Sequence, residues 1–264
     1  QLIKLIKERN LDMEKIDYLI NELIKEDSKL SNVNVPLDIN GKKDLYRALR
    51  NIRNPKPISK EYLKIQDEYL QGEIKNKGII DEKSIPFDND VISIWQGDIT
   101  TLKCDVIVNA CNEYLLGCFN PTHRCIDNTI HSFAGMELRE ECNDIMQGKT
   151  LPNGKVVLTS AYNLPSKYII QTVGPQVNGM PCEKDKEDLK NCYYNSLELC
   201  KEKRLKTIAF PCIATGLYGF SQDEASKIAI KTIKDYLKDN PNTFNHIIFN
   251  VFKNEDLEIY KRNI

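Results

Sequence analysis

Cys118, His123 and Cys125 fall within one eight-residue window, in the run Gly117-Cys118-Phe119-Asn120-Pro121-Thr122-His123-Arg124-Cys125-Ile126-Asp127-Asn128. Asp127 follows two positions later. Two thiols and an imidazole are donors suited to zinc. Structural zinc sites normally close with four protein ligands, whereas catalytic ones keep a position open for water or substrate. Three candidate ligands followed at once by a carboxylate therefore point to chemistry more than to a structural staple. The competing reading takes both cysteines as small buried hydrophobes; a histidine between them at tight spacing weighs against it. Asp127 could instead cap the helix that follows. His131, one helical turn on, could ligate or hydrogen-bond near the site, or be a satisfied structural histidine.

Such side chains need a scaffold, and the sequence changes character along its length. Residues 1–85 read as a helical extension. Leu2, Ile3, Leu5 and Ile6, then Ile16, Leu19, Ile20, Leu23 and Ile24, recur near helical spacing. A third pattern, Leu45 to Leu49, stops at Asn51-Ile52-Arg53-Asn54-Pro55-Lys56-Pro57, since two prolines in three residues cannot continue a helix. Ser59 is placed to cap a helix through Tyr62, Leu63, Ile65 and Leu70. Gly78 to Asn89, with Pro86, reads as a connector.

From 86 to 264 short β-rich runs alternate with amphipathic helices. Strands are expected at 91–95, 106–108, 156–158, 168–170, 207–210 and 246–252, with helices near 124–142, 186–203 and 221–238. That order implies an α/β domain, its mostly parallel or mixed sheet covered on both faces. Glycine-containing turns follow several strands: Gly97-Asp98-Ile99-Thr100, then Asn109-Ala110-Cys111-Asn112, then Pro211 to Phe220. Open α/β sheets bind ligands at such strand ends. Taken singly, each turn is weak evidence, because ordinary strand-to-helix turns use the same residues.

Bulk properties exclude some classes. With 37 basic against 38 acidic side chains, nucleic-acid binding through overall charge is not expected. No apolar run approaches the roughly 20 residues of a membrane helix. The opening Gln1-Leu2-Ile3-Lys4 has neither the apolar core nor the cleavage site of an export signal. Nine scattered cysteines, an odd number, then read as reduced thiols in a cytoplasmic protein. Seven of them lack metal-ligating company and read as packing or surface thiols.

In order, Gly97-Asp98-Ile99-Thr100, Val108 to Asn112, Asp127 to Gly135, Tyr162 to Pro175 and Ala214 to Gly219 resemble the macrodomain family of ADP-ribose-binding and ADP-ribosyl-hydrolysing modules. The likeness covers residues 90–260. The Cys118-to-Asn128 run, together with Arg50 to Ser59 and Leu63 to Glu68, resembles the zinc-containing bacterial branch of that family.

The resemblance implies a three-layer α/β/α domain with a central, mostly parallel mixed sheet, preceded by the helical extension. It places Asp98 and the backbone of Ile99 at adenine, Asn112 at the distal ribose, and Thr215, Gly216, Leu217, Tyr218, Gly219 and Phe220 around the diphosphate and distal ribose. It makes Asp127 the acidic residue implicated in catalysis and Cys118, His123 and Cys125 the zinc ligands. Cys111 replaces a small alanine of the family motif, a harmless change. Phe252 is a candidate partner for the adenine face.

The implied activity is zinc-dependent hydrolysis of mono-ADP-ribose from modified proteins, with ester linkage to Asp or Glu the most compatible. Alternatives are a non-catalytic ADP-ribose reader and a hydrolase of small derivatives such as O-acetyl-ADP-ribose. Residue by residue, plainer roles stay open: Asp98 could only stabilise its turn, and Tyr218 and Phe220 could be core aromatics. A glycine between those two rings favours their exposure to a ligand. Arg50 and Arg53 are expected to pack the extension onto the domain.

Overall fold

Runs of β-branched and aromatic residues form the strands, and stretches with helical apolar spacing form the helices that cover them. The computed structural model describes residues 2–264, with side chains from Leu11 onward. The apolar positions expected at Leu2, Ile3, Leu5 and Ile6 lie outside the described side chains. In chain order the elements are α1 (Leu2–Lys25), α2 (Ile39–Ile52), α3 (Lys60–Lys77), β1 (Ile80–Asp81), β2 (Ile92–Gln96), β3 (Leu102–Lys103) and β4 (Val106–Ala110). Then follow α4 (Ile126–Ala134), α5 (Met136–Met146), β5 (Val156–Ser160), β6 (Tyr168–Thr172), α6 (Glu183–Glu202), β7 (Thr207–Phe210), α7 (Gln222–Asp239), β8 (His246–Val251) and α8 (Asn254–Asn263).

Six strands make the main sheet in the order β2-β8-β7-β4-β6-β5. All neighbours are parallel except β5 against β6. Alternation along the strands feeds two cores. Val106, Val108, Ile208, Phe210, Ile247 and Phe249 point into one, under α6, α7 and α8. Ile107, Ile169, Ala209 and Ile248 point into the other, under α4 and α5. The sheet is therefore buried on both faces, which explains why its strands read as nearly continuous apolar runs.

The extension has its own apolar centre. Ile16, Leu19, Ile20 and Leu23 of α1 pack on Tyr46 and Leu49 of α2 and on Tyr62, Tyr69 and Leu70 of α3, with Met136 of α5 joining them. Ser59 caps α3 by accepting from Tyr62 N at 3.1 Å. The connector does more than link. β1 pairs in parallel with β3, and Ile85 enters the core below the sheet beside Ile74 of α3. Glu82 Oε2 meets His246 Nδ1 at 2.6 Å, and Ser93 Oγ meets His246 Nε2 at 2.6 Å. This buried polar clamp fastens the connector to the start of β8.

Two details depart from the sequence reading. The single helix expected near 124–142 is two, broken where Gly135 adopts φ +117. The helix α8 and the two-residue strands β1 and β3 are additional, too short or too polar to stand out by periodicity. Among the described residues no helix is long and apolar enough to cross a membrane.

Candidate functional site

The loops after β4 and β7 leave the sheet toward opposite faces: one leads to α4 and the other to α7. Adjacent parallel strands whose crossovers diverge open a crevice at their carboxyl ends. Here that crevice is a cleft of about 530 Å³, lined from the strand ends by Ala110, Gly174, Pro211 and Asn250. The volume falls in the usual range for small-molecule sites.

Cys118, His123, Cys125, Asp127 and Asn112 all line this cleft, as do Thr215, Gly216, Leu217 and Tyr218 from the opposite wall. Phe252 also lines it and is 76% exposed, free to meet a flat ring. Asp98, Ile99, Gly219 and Phe220 do not contribute to the lining. Asp98 caps its own turn, accepting from Thr100 N at 2.9 Å and Thr100 Oγ1 at 2.6 Å, and it pairs with Lys77 Nζ at 2.8 Å. Burial, which would raise its carboxyl pKa, is outweighed by these bonds, and the group sits below the ordinary value. Ile99 is buried in the core beneath α4. The turn still reaches the cleft indirectly, because Asn250 donates to Gly97 O at 3.0 Å.

Phe220 corrects the expectation of an exposed aromatic. It is 2% exposed and packs in the core under α7. Its amide donates to Ala214 O at 3.0 Å, which folds the loop back and turns the ring inward. Gly219 likewise closes the loop, with its backbone set against Val177 O.

The donor atoms of Cys118, His123 and Cys125 lie within 4.8 Å of one another, and Cys118 Sγ is 3.4 Å from His123 Nδ1. Zinc–sulfur and zinc–nitrogen bonds of about 2.3 and 2.0 Å need donors at such separations. Two soft sulfurs and an imidazole, half-buried at a cleft wall, fit that ion. Cys125 is also the N-cap of α4, its sulfur accepting from Asn128 N at 3.4 Å. A helix N-terminus favours the thiolate that metal binding requires. The capping role considered for Asp127 thus belongs to Cys125.

Asp127, 5% exposed, accepts from Asn109 Nδ2 at 2.8 Å. Burial pushes its carboxyl up to about 6, opposed by the Asn109 hydrogen bond and the Arg139 charge. His131 Nε2 lies 3.6 Å from Asp127 Oδ1. Burial, with Arg139 nearby, pushes His131 down to about 3, so it stands neutral and the contact is no ion pair.

Asn109 and Gln171, to which sequence reasoning assigned no role, extend the polar contacts of Asp127. They face each other across β4 and β6, and Asn109 Nδ2 also donates to Gln171 Oε1 at 2.8 Å. Gln171 Nε2 continues to Thr159 Oγ1 at 3.2 Å. A polar residue two positions after a buried isoleucine in an apolar strand was the available signal. Asn112 braces the loop that carries Cys118, donating to Gly117 O at 3.1 Å.

Arg139 ties the extension to this site. Its Nη1 donates to Arg50 O, Asn51 O and Arg53 O at 3.1, 2.9 and 2.6 Å, and its guanidinium lies 4.3 Å from the centre of the Phe119 ring. Arg50 packs the extension onto the domain, donating to Ser132 O, whereas the Arg53 side chain stays within the extension, donating to Glu26, Lys56 O and Pro57 O. Gly117 holds φ +79, and an added Cβ would meet the His131 ring at 3.0 Å and Arg139 Nη2 at 3.1 Å. Gly117→Ala is therefore expected to destabilise the fold by about 2 kcal/mol, read as a lower urea midpoint at unchanged slope. An unchanged midpoint would mean that the loop relaxes freely.

Comparison with known proteins gives a coherent picture. A family model described as Macro domain matches residues 108–229. A protein-ADP-ribose hydrolase of Staphylococcus aureus is 43% identical over 251 residues, 94% of each chain. One from Treponema medium is 43% identical over 251 residues, 93% of this chain and 96% of its own. A solved structure of an Oceanobacillus iheyensis macrodomain variant with ADPR superposes with a TM-score of 0.61 at 41% identity, covering 68% of this chain and 95% of that one.

Proposed function

The chain belongs to the macrodomain family, and from that premise we propose that it is a zinc-dependent hydrolase releasing mono-ADP-ribose from modified proteins. The ester to an Asp or Glu side chain is the favoured linkage, since its acyl carbon and anomeric carbon are both open to water. One observation carries the reading: Asp127 and the Cys118–His123–Cys125 triad share one wall of a nucleotide-sized cleft.

The residues divide the work. The Thr215 to Leu217 turn, which lines the same cleft as Asp127, would offer backbone to a diphosphate. Asn112 and Tyr218 flank the distal ribose, and Phe252 offers a face to adenine. Cys118, His123 and Cys125 would hold zinc, which when bound supplies Lewis acidity and orientation beside the sugar. Asp127 accepts the proton of the attacking water. Asn109, fixed by Gln171, holds the receiving carboxylate in place. The neutral, buried His131 backs Asp127 without competing for its charge. The reading also places the protein in the cytoplasm, with ADP-ribosylated protein as its partner.

Release of ADP-ribose from a mono-ADP-ribosylated protein, measured with and without chelator, tests this. Chelation and Cys118→Ala are each expected to slow release by about a hundredfold, the scale of several kcal/mol of lost transition-state stabilisation. Full activity in the metal-free protein would overturn the zinc requirement. Tight ADP-ribose binding with no turnover of any linkage would make the protein a reader.

A further inference from the structure

The triad sits on a loop without regular structure, and such a loop cannot hold three donors in register by itself. Ligand positions are usually fixed by hydrogen-bond partners one layer out. The side chain of Asn128, fully buried in the first turn of α4, occupies that layer. Its Nδ2 donates to Asn120 O at 3.1 Å and Cys118 O at 3.5 Å, both within the metal loop. Its Oδ1 accepts from Arg47 Nε at 2.9 Å, Arg47 Nη2 at 2.7 Å and Asn51 Nδ2 at 3.1 Å, all from α2 of the extension. Ser132 Oγ completes the set at 3.3 Å.

One buried amide thus has its oxygen committed to the extension and its nitrogen to the loop. Rotating it would pair Oδ1 with carbonyl oxygens and leave Nδ2 facing the Arg47 guanidinium. Arg47 fixes which way the amide points, and is itself anchored by Thr129 Oγ1 at 3.1 Å. A second link between the same two parts, Arg124 Nη2 to Asp44 Oδ1 at 3.1 Å, is about 70% exposed on both sides. An exposed pair of that kind contributes little.

We infer that the N-terminal extension is a built-in part of the metal site, with Asn128 and Arg47 as positioning residues that set the Cys118 end of the loop. This rests on the zinc reading above. It gives the helical extension a role in the reaction beyond covering the domain.

The test is zinc affinity of the full chain, by competition with a chromophoric chelator, alongside the melting temperature of the metal-free protein. Asn128→Asp keeps acceptors for Arg47 and Asn51 but removes both donors to the loop. Arg47→Met removes the two guanidinium bonds to Asn128 Oδ1 and leaves that oxygen held by Asn51 and Ser132 alone. Each is expected to weaken zinc binding by about tenfold or more, and Asn128→Asp to do so without a matching fall in metal-free melting temperature. Asp44→Ala is expected to bind zinc like the parent. Parental affinity in Asn128→Asp and Arg47→Met would overturn the inference, as would an equal loss in Asp44→Ala. A parent chain that takes up no zinc would overturn the metal reading instead. Should Arg47→Met fail to fold, Asn128→Asp decides.

Discussion

Replacing Asp127 with Asn is expected to lower turnover by about 10²- to 10⁴-fold, the range supplied by a positioned general acid or base. The substitution is nearly isosteric, and its amide oxygen still accepts from Asn109 Nδ2, so the 2.8 Å contact that orients the group survives. What disappears is a carboxylate able to take a proton from water. ADP-ribose affinity is expected to change little, because the Thr215 to Leu217 wall and Phe252 are untouched. The fold should not suffer either, since the substitution removes a buried charge that costs free energy to desolvate. Single-turnover release and ADP-ribose binding by calorimetry separate these effects. Undiminished turnover would remove Asp127 from the reaction, and loss of binding alone would make it a ribose ligand.

Arg139→Met is the substitution expected to cost the most stability, about 3–5 kcal/mol. Arg139 is 6% exposed, and one nitrogen serves three carbonyls at the end of α2. Methionine can replace much of its packing against Phe119 but donates no hydrogen bond. Those carbonyls lie at the end of the helix, where intrahelical partners run out, although Arg50 O also accepts from Arg53 N at 3.3 Å. The loss should appear as a lower urea midpoint and as faster amide exchange in α2 before the sheet opens. Equal protection of α2 in the variant and the parent would show that its end is held by something else. Burial disfavours the charged guanidinium of Arg139 and brings its pKa down to about 10.

These two substitutions separate the chemistry from its frame. In the proposed reaction Asp127 carries the proton transfer, while Arg139 and Asn128 hold the parts that present it. An enzyme can lose the first and keep its fold. It cannot lose the frame and keep the first in place.

Much of this was legible in the residues themselves. Short, nearly continuous apolar runs marked the six strands of the main sheet because both of its faces are buried. Cys118, His123 and Cys125 could be grouped because they lie close in sequence, and a short chain segment cannot carry them far apart. The Ser59 cap followed from local chemistry alone. Other features depend on contacts between distant segments. Phe220 turns inward because Ala214 and Val177 fix its loop, and nothing in the Tyr-Gly-Phe sequence sets that direction. Asn109 becomes the partner of Gln171 only when β4 and β6, 62 residues apart at that pair, align in register. Asn128 looks like any polar residue in a helix's first turn until α2 arrives 77 residues away with Asn51. The cluster of donors was written locally. What holds it, and what it faces, was decided by packing, because burial and register belong to the folded chain and to no single segment of it.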